Sequence, residues 1–258
     1  MTVKFELDNH VARVTIDRAD RMNAVDDATW DALEGIWQKI EADNDVRVVV
    51  LTGSGDRAFC AGADMKGGNA LSGLEYWENA RPGGFGGLAL RKSLHVPVIA
   101  RVNGIAVGGG FEMVLGCDIV VAAEHASFGL PEARVGRMPL DGGMIVLPRM
   151  IPQKVAMGML MTGNRISADE AREYGLINEV VSADGLDAAV QRWVDDILKC
   201  APLSVKAIKE CVKETIDLPP QEAMAKRLPA LVAALESEDG DEGPRAFREK
   251  REPVWKGR

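Results

Sequence analysis

The sequence predicts an α/β core that gives way to an all-helical C-terminal region. Residues 46–52, 98–102 and 119–122 are short apolar runs rich in β-branched side chains, the pattern of strands buried on both faces. Stretches of helical periodicity separate them, as in repeated strand–helix units. From about residue 184 the strand-like runs stop. Helical patterns over 186–198, 203–215, 221–235 and 243–251 follow one another, punctuated by Pro202 and the Pro219-Pro220 pair. We therefore expect a core unit over residues 1–195 and a helical unit over residues 196–258.

Each element has its own signal. Residues 3–7 and 11–16 read as two strands around a turn at Asp8-Asn9-His10. Residues 26–42 read as a helix, with Asp26 or Asp27 able to cap it and Trp30, Leu33, Ile36, Trp37 and Ile40 forming an apolar stripe. Residues 66–88 are the least regular, with glycines at 67, 68, 73, 83, 84, 86 and 87, and predict a long mobile loop of the kind that serves function.

Composition narrows the function. A net charge of -8 argues against nucleic acid or an anionic membrane as the main partner, yet leaves room for a phosphorylated ligand held by a local basic patch. Cys60, Cys117, Cys200 and Cys211 lack C-x-x-C spacing and only His10, His95 and His125 could join them, so no metal site is expected. Free thiols in a reducing compartment, no apolar run near the ~20 residues of a membrane span, and no apolar signal segment in residues 1–6 together predict a cytoplasmic protein.

Two glutamates stand out. Glu112 follows Gly108-Gly109-Gly110, and Glu132 closes the apolar run of residues 126–131. If a helix starts near Gly109, the first N–H groups lack partners and can stabilise an oxyanion, with Glu112 one turn on and on the same side. The alternative makes the glycines a helix–sheet packing device and Glu112 a capping carboxylate. Glu132, in apolar surroundings, can hold a raised pKa; its alternative is a structural ion pair with Arg134 or Arg137. The small residues of Ala58-Phe59-Cys60-Ala61-Gly62-Ala63-Asp64-Met65 let a backbone approach a ligand, or simply make a tight turn. Two carboxylates and a pair of N–H donors suit acid/base chemistry on an activated carbonyl.

These segments resemble the enoyl-CoA hydratase/isomerase, or crotonase, superfamily. The similarity runs through Arg21-Met22-Asn23-Ala24, residues 58–65, 103–118 and 127–143, Met161-Thr162-Gly163, residues 168–181 and residues 247–251. The resemblance implies a spiral of β-β-α turns whose C-terminal helices assemble trimers or hexamers. It places the oxyanion hole at the N–H groups of Ala63 and Gly109, and the acid/base pair at Glu112 and Glu132. It puts coenzyme A near Ala24, Ala61 and Met65, with Phe247 and Lys250 supplied by a neighbouring subunit. The implied substrate is an acyl-CoA thioester, with no separate cofactor. Retention of both glutamates implies a hydratase; a Δ3,Δ2-enoyl-CoA isomerase using Glu132 alone, or a non-catalytic acyl-CoA-binding protein, are the alternatives.

Residues 82–88, 128–133 and 249–258 are most similar to the carnitinyl-CoA dehydratase branch. Ala63 and the Leu140-Asp141 pair depart from that branch's pattern beside the acyl pocket. A quaternary ammonium acyl group needs aromatic faces or carboxylates, for which Trp77, Phe85 and Asp141 are the candidates, with Glu75, Tyr76 and Glu78 nearby.

Overall fold

The computed structural model describes residues 2–65 and 73–258. β1 (Val3–Asp8) and β2 (Val11–Ile16) form an antiparallel hairpin with Asn9 and His10 at positive φ in the turn. Then come α1 (Asp27–Ala42), β3 (Val48–Gly53), β4 (Ala58–Cys60) and α2 (Gly73–Glu78). They are followed by β5 (Val98–Val102), β6 (Ile105–Val107), α3 (Gly109–Leu115), β7 (Ile119–Ala123) and β8 (Ser127–Gly129). After α4 (Gly143–Met150), α5 (Gln153–Thr162), β9 (Ile166–Ser167), α6 (Ala168–Glu173) and β10 (Glu179–Val181), the chain is helical. The helices are α7 (Leu186–Leu198), α8 (Pro202–Thr215), α9 (Pro220–Ala225), α10 (Pro229–Leu235) and α11 (Glu238–Glu249).

Successive strands alternate between two sheets. β3, β5, β7 and β10 join the β1–β2 hairpin in one sheet of order β1-β2-β3-β5-β7-β10, parallel from β2 onward. β4, β6 and β8 build the second, closed by antiparallel β9. Each β-β-α unit thus adds one strand to each sheet before its helix, which is the expected spiral. It also stacks the ends of β4 and β6, followed respectively by Ala61-Gly62-Ala63 and the triple glycine, side by side.

The large sheet is buried on both faces. Val49, Leu51 and Ala100 face the main core with Leu33, Trp37 and Phe59. Val48, Val50, Ile99 and Val121 face the opposite way, under Leu186, Ala189, Val190 and Val194 of α7. Each such valine, leucine or isoleucine contributes about 1.5–3 kcal/mol by leaving water. Asp26 caps α1, accepting from the Thr29 N–H at 2.9 Å.

Several expectations need correction. The division at 195/196 falls inside α7, which packs on the large sheet; the peripheral helices start at Pro202. The single helix expected over 221–235 is two, because Pro229 disfavours helical backbone at Leu228, which sits at ψ 139. The helix expected over 243–251 begins at Glu238, where Ser237 caps it, and ends at Glu249, because Lys250 turns left-handed. Residues 66–88 are not loop throughout: α2 and a short 3-10 turn at Phe85–Gly87 lie within them, while residues 66–72 of that expected loop are outside the described residues.

Candidate active site

Two buried asparagines shape the ends of the strands. The Asn23 side chain, at positive φ, donates to Ser54 O at 3.0 Å and Ala58 O at 2.7 Å. Asn103 donates to Gly55 O at 2.7 Å and to the same Ala58 carbonyl at 3.1 Å. Both satisfy carbonyls at the loop before β4 and at its first residue. After β4, Gly62 takes φ +86, and a side chain there would meet Val107 O at 3.1 Å and Gly109 N at 3.3 Å. Only glycine allows this approach of the two loops.

Ala63 forms a lone parallel bridge with Val25. The bridge uses the groups flanking it: Val25 N–H donates to Gly62 O and Asp64 N–H to Val25 O, both at 2.9 Å. In a parallel bridge the central residue's own N–H points away from that partner, so the Ala63 N–H is left for something else. Arg18 locks this corner, pairing with Asp64 at 2.9 Å and Asp26 at 2.8 Å and donating to Ala24 O.

Gly109 opens α3, so its N–H has no intrahelical acceptor. Space explains the glycine itself, since a Cβ would lie 2.3 Å from the Phe85 ring. At Gly110 a Cβ would lie 2.1 Å from Cys60 O, so the packing role holds there. Phe85 is fixed edge-on to Trp30, centroids 5.0 Å apart.

Glu112 is 3% exposed, and it does not cap its own helix. Its Oε1 accepts from the N–H groups of Asp141 and Gly143, each at 2.9 Å, from the loop leading into α4. Burial pushes its pKa up to about 8; the Gly143 N–H opposes this, and Asp141 and Glu132 add to it. Glu132 starts a 3-10 turn, Glu132–Val135, beside Gly108. Its pKa is also raised, first by burial and then by Asp141. Arg134 turns instead to Thr162 O at 2.7 Å and Asn164 at 2.5 Å, and among the described residues the Glu132 carboxylate has no ion-pair partner. Its Oε2 is buried with no hydrogen bond. Leaving such an atom unsatisfied costs about 1–3 kcal/mol or more.

Asp141, 7% exposed, accepts from the Tyr76 hydroxyl, and burial raises its pKa against that bond. Asp141 and Phe85 of the expected acyl pocket therefore lie at the Glu112–Gly109 end, whereas Trp77 is 63% exposed on α2 and does not close the pocket. An open cleft of about 520 Å³ joins Ala24, Ala61, Ala63 and Met65 with Asp20, Arg21, Met22 and Asp64. Phe247 and Lys250 line no part of it; both are exposed on or just past α11, Phe247 at 85%. Arg18, Asn103 and Gly143 escaped the sequence reading. Asn103 beside a glycine at a strand end was a signal for a buried turn; Arg18 and Gly143 gave none.

A β-β-α spiral that gathers the Ala63 and Gly109 N–H groups, the buried Glu112 and the half-buried Glu132 at the ends of adjacent strands defines the class: an acid/base enzyme acting on a carbonyl compound. The chain belongs to the enoyl-CoA hydratase/isomerase family, whose profile matches residues 6–258. It is 41% identical over 255 residues to the carnitinyl-CoA dehydratase of Salmonella typhimurium, covering 96% of this chain and 95% of that one. Its fold matches enoyl-CoA hydratase from Bacillus anthracis with a TM-score of 0.91 at 33% identity, covering 100% of both chains. It also matches that from Mycobacterium tuberculosis H37Rv with a TM-score of 0.90 at 32% identity, covering 100% of this chain and 99% of that one.

Proposed function

We propose that this chain is a 2-enoyl-CoA hydratase, reversible as a 3-hydroxyacyl-CoA dehydratase. The observation that carries this is the unpartnered Oε2 of Glu132 beside a Glu112 that holds its proton to about pH 8. Hydration needs one proton taken from water as oxygen attacks C3, and one proton given to C2 as the enolate collapses. Two carboxylates, one able to take a proton and the other to give one, supply both. The N–H groups of Ala63 and Gly109 hold the thioester oxygen as it gains charge, a contribution of about 3–4 kcal/mol per donor. Two N–H donors on Glu112 Oε1 fix its orientation while Oε2 takes no part in those bonds.

Ala24, Ala61 and Met65 line the cleft in which we place the nucleotide end of coenzyme A, which enters as part of the substrate; no other cofactor is invoked. We assign a short acyl group, with the quaternary ammonium of crotonobetainyl-CoA as its most specific form. Supporting this are the 41% identical carnitinyl-CoA dehydratases and the Asp141 carboxylate beside the aromatic set Tyr76, Trp30 and Phe85. We further propose a homotrimer or hexamer in the cytoplasm, with Phe247 and Lys250 completing a neighbour's cleft. Exposed Ile208, Val212, Ile216, Met224 and Leu235 on the helices after Pro202 supply apolar surface for it. Among the described residues no helix is long and apolar enough to cross a membrane.

The test is turnover of purified protein on crotonyl-, crotonobetainyl- and longer 2-enoyl-CoA esters, scoring water addition against double-bond migration. Migration without hydration assigns an isomerase; no turnover on any ester removes the enzyme reading. A kcat/KM ratio of crotonobetainyl- to crotonyl-CoA well below one removes the carnitine substrate alone.

A further inference from the structure

Asp141 faces two ways. Its backbone N–H donates to Glu112 Oε1 at 2.9 Å, while its buried carboxylate accepts from the Tyr76 hydroxyl. Tyr76 comes from α2, whose Leu74 and Trp77 are exposed and which buries no residue fully. The Tyr76 ring sets this helix on the core, edge-on to Trp30 at 6.5 Å. Trp30 carries Phe85 at 5.0 Å on the same side, and Phe85 covers Gly109. One tryptophan therefore supports both the residue over the proposed oxyanion donor and the residue that grips Asp141.

We infer that Tyr76 is a positioning residue: its hydroxyl holds Asp141 so that the Asp141 N–H keeps Glu112 aimed at the substrate. This rests on the hydratase reading and deepens it. The chain of contacts is short and directional. A carboxylate this buried takes its rotamer from its strongest hydrogen bond, and the loop that carries it presents two N–H groups to one glutamate oxygen. Loosening the Tyr76 end frees the Asp141 backbone, leaves Glu112 on the Gly143 N–H alone, and lets the carboxylate rotate away from the reacting carbons. The groups facing Glu112 are Asp141 from the loop before α4 and Glu132 from its 3-10 turn, with Tyr76 of α2 beyond Asp141. All are acidic or neutral, so the charge on Asp141 also sets how tightly Glu112 keeps its proton.

The experiment compares Tyr76→Phe, which keeps the ring on Trp30, with Asp141→Asn, which keeps an acceptor for Tyr76 but removes the charge. Both are assayed across pH on the best enoyl-CoA ester. For Tyr76→Phe we expect kcat to fall between ~10-fold and ~10²-fold with KM held, the signature of misplacement rather than lost binding. For Asp141→Asn we expect a smaller loss at the plateau and a basic limb moved to lower pH, because a neighbouring negative charge no longer favours the protonated Glu112. A Tyr76→Phe enzyme with parental kcat overturns the inference, as does a change confined to KM, which makes Tyr76 an acyl contact. A larger plateau loss in Asp141→Asn than in Tyr76→Phe also overturns it, because the carboxylate then acts without its tyrosine. If the parent itself hydrates no ester, the hydratase reading fails instead.

Discussion

Two regions of this molecule treat their glutamates in opposite ways. On α11, Glu242 is almost wholly covered yet receives Arg251 at 2.6 Å and 3.0 Å, Arg245, and the Val254 N–H at 2.9 Å. Those guanidiniums hold its pKa well below the ordinary carboxylate range. Its neighbour Asp239 accepts from the Lys256 and Gly257 N–H groups at 2.7 Å and 2.8 Å. Together the two acids tie the last residues of the chain to the helix. At the candidate site, Glu112 and Glu132 have no cation partner among the described residues, and burial drives both pKa values up. The lesson is that burial alone does not set a carboxylate's task. With charged partners it is a fixed anion that anchors structure; without them it holds its proton above the ordinary carboxylate range.

The comparison breaks first in the kinetics. Glu112→Gln and Glu132→Gln should each lower hydratase kcat by at least ~10²-fold while acyl-CoA binding, read by calorimetry, stays near parental. Near-parental turnover in either would place both regions in the structural category. Gly109→Ala should come next. Its Cβ would lie 2.3 Å from a Phe85 ring that Trp30 holds, so we expect about 1–3 kcal/mol lost from stability, together with turnover. Adding Phe85→Ala should recover part of the stability, and a denaturation double-mutant cycle that proves additive would show that the ring is not the obstacle.

The two regions should also differ in sign against pH. The folded Glu112 pKa of about 8 lies above its ordinary 4.5, so the folded state binds the extra proton between those values. Stability is therefore fullest below the lower value and declines as pH rises through the upper one. Glu112→Gln should remove that decline, an effect on the order of a few kcal/mol at most, and melt above the parent at about pH 8 but not at about pH 5. Glu242 runs the other way. Its depressed pKa contributes stability present above the ordinary 4.5 and lost as pH falls. Glu242→Gln should lower the melting temperature at neutral pH and leave kcat of the folded enzyme alone. Equal melting curves for this variant and the parent would remove the contrast. Smallest is Lys250→Glu, which should raise KM for CoA esters severalfold, by about 1 kcal/mol, and for dephospho-CoA esters less. Identical shifts for both esters would detach Lys250 from the nucleotide phosphate.

The turns around the candidate site were legible because their signals are local. A triple glycine ahead of Glu112 and a glycine between Ala61 and Ala63 each announce a close backbone approach, and Gly62 and Gly109 do meet. Trp77 and Tyr76 are adjacent in α2, yet Trp77 is exposed and Tyr76 packs on Trp30, a choice made by the helix phase and by Trp30. The break before Pro229 was written in the sequence and outweighed by an apolar periodicity that spans it.

By itself the sequence determined the central strands and their two-faced burial, the helical C-terminal region and the family, and it singled out the paired glutamates as candidates. Those properties depend on residue type and on spacing over a few turns or one strand. Only the tertiary structure decided that Glu112 rests on the N–H groups of Asp141 and Gly143, that Arg18 braces Asp64 beside Ala63, and that among the described residues Glu132 has no cation while Glu242 has two. The physical reason is that electrostatic environment is non-local. Asp141 stands 29 positions from Glu112 and Tyr76 stands 65 from Asp141. Such pairs meet only once the spiral has stacked their loops, and no local pattern records the distance between them.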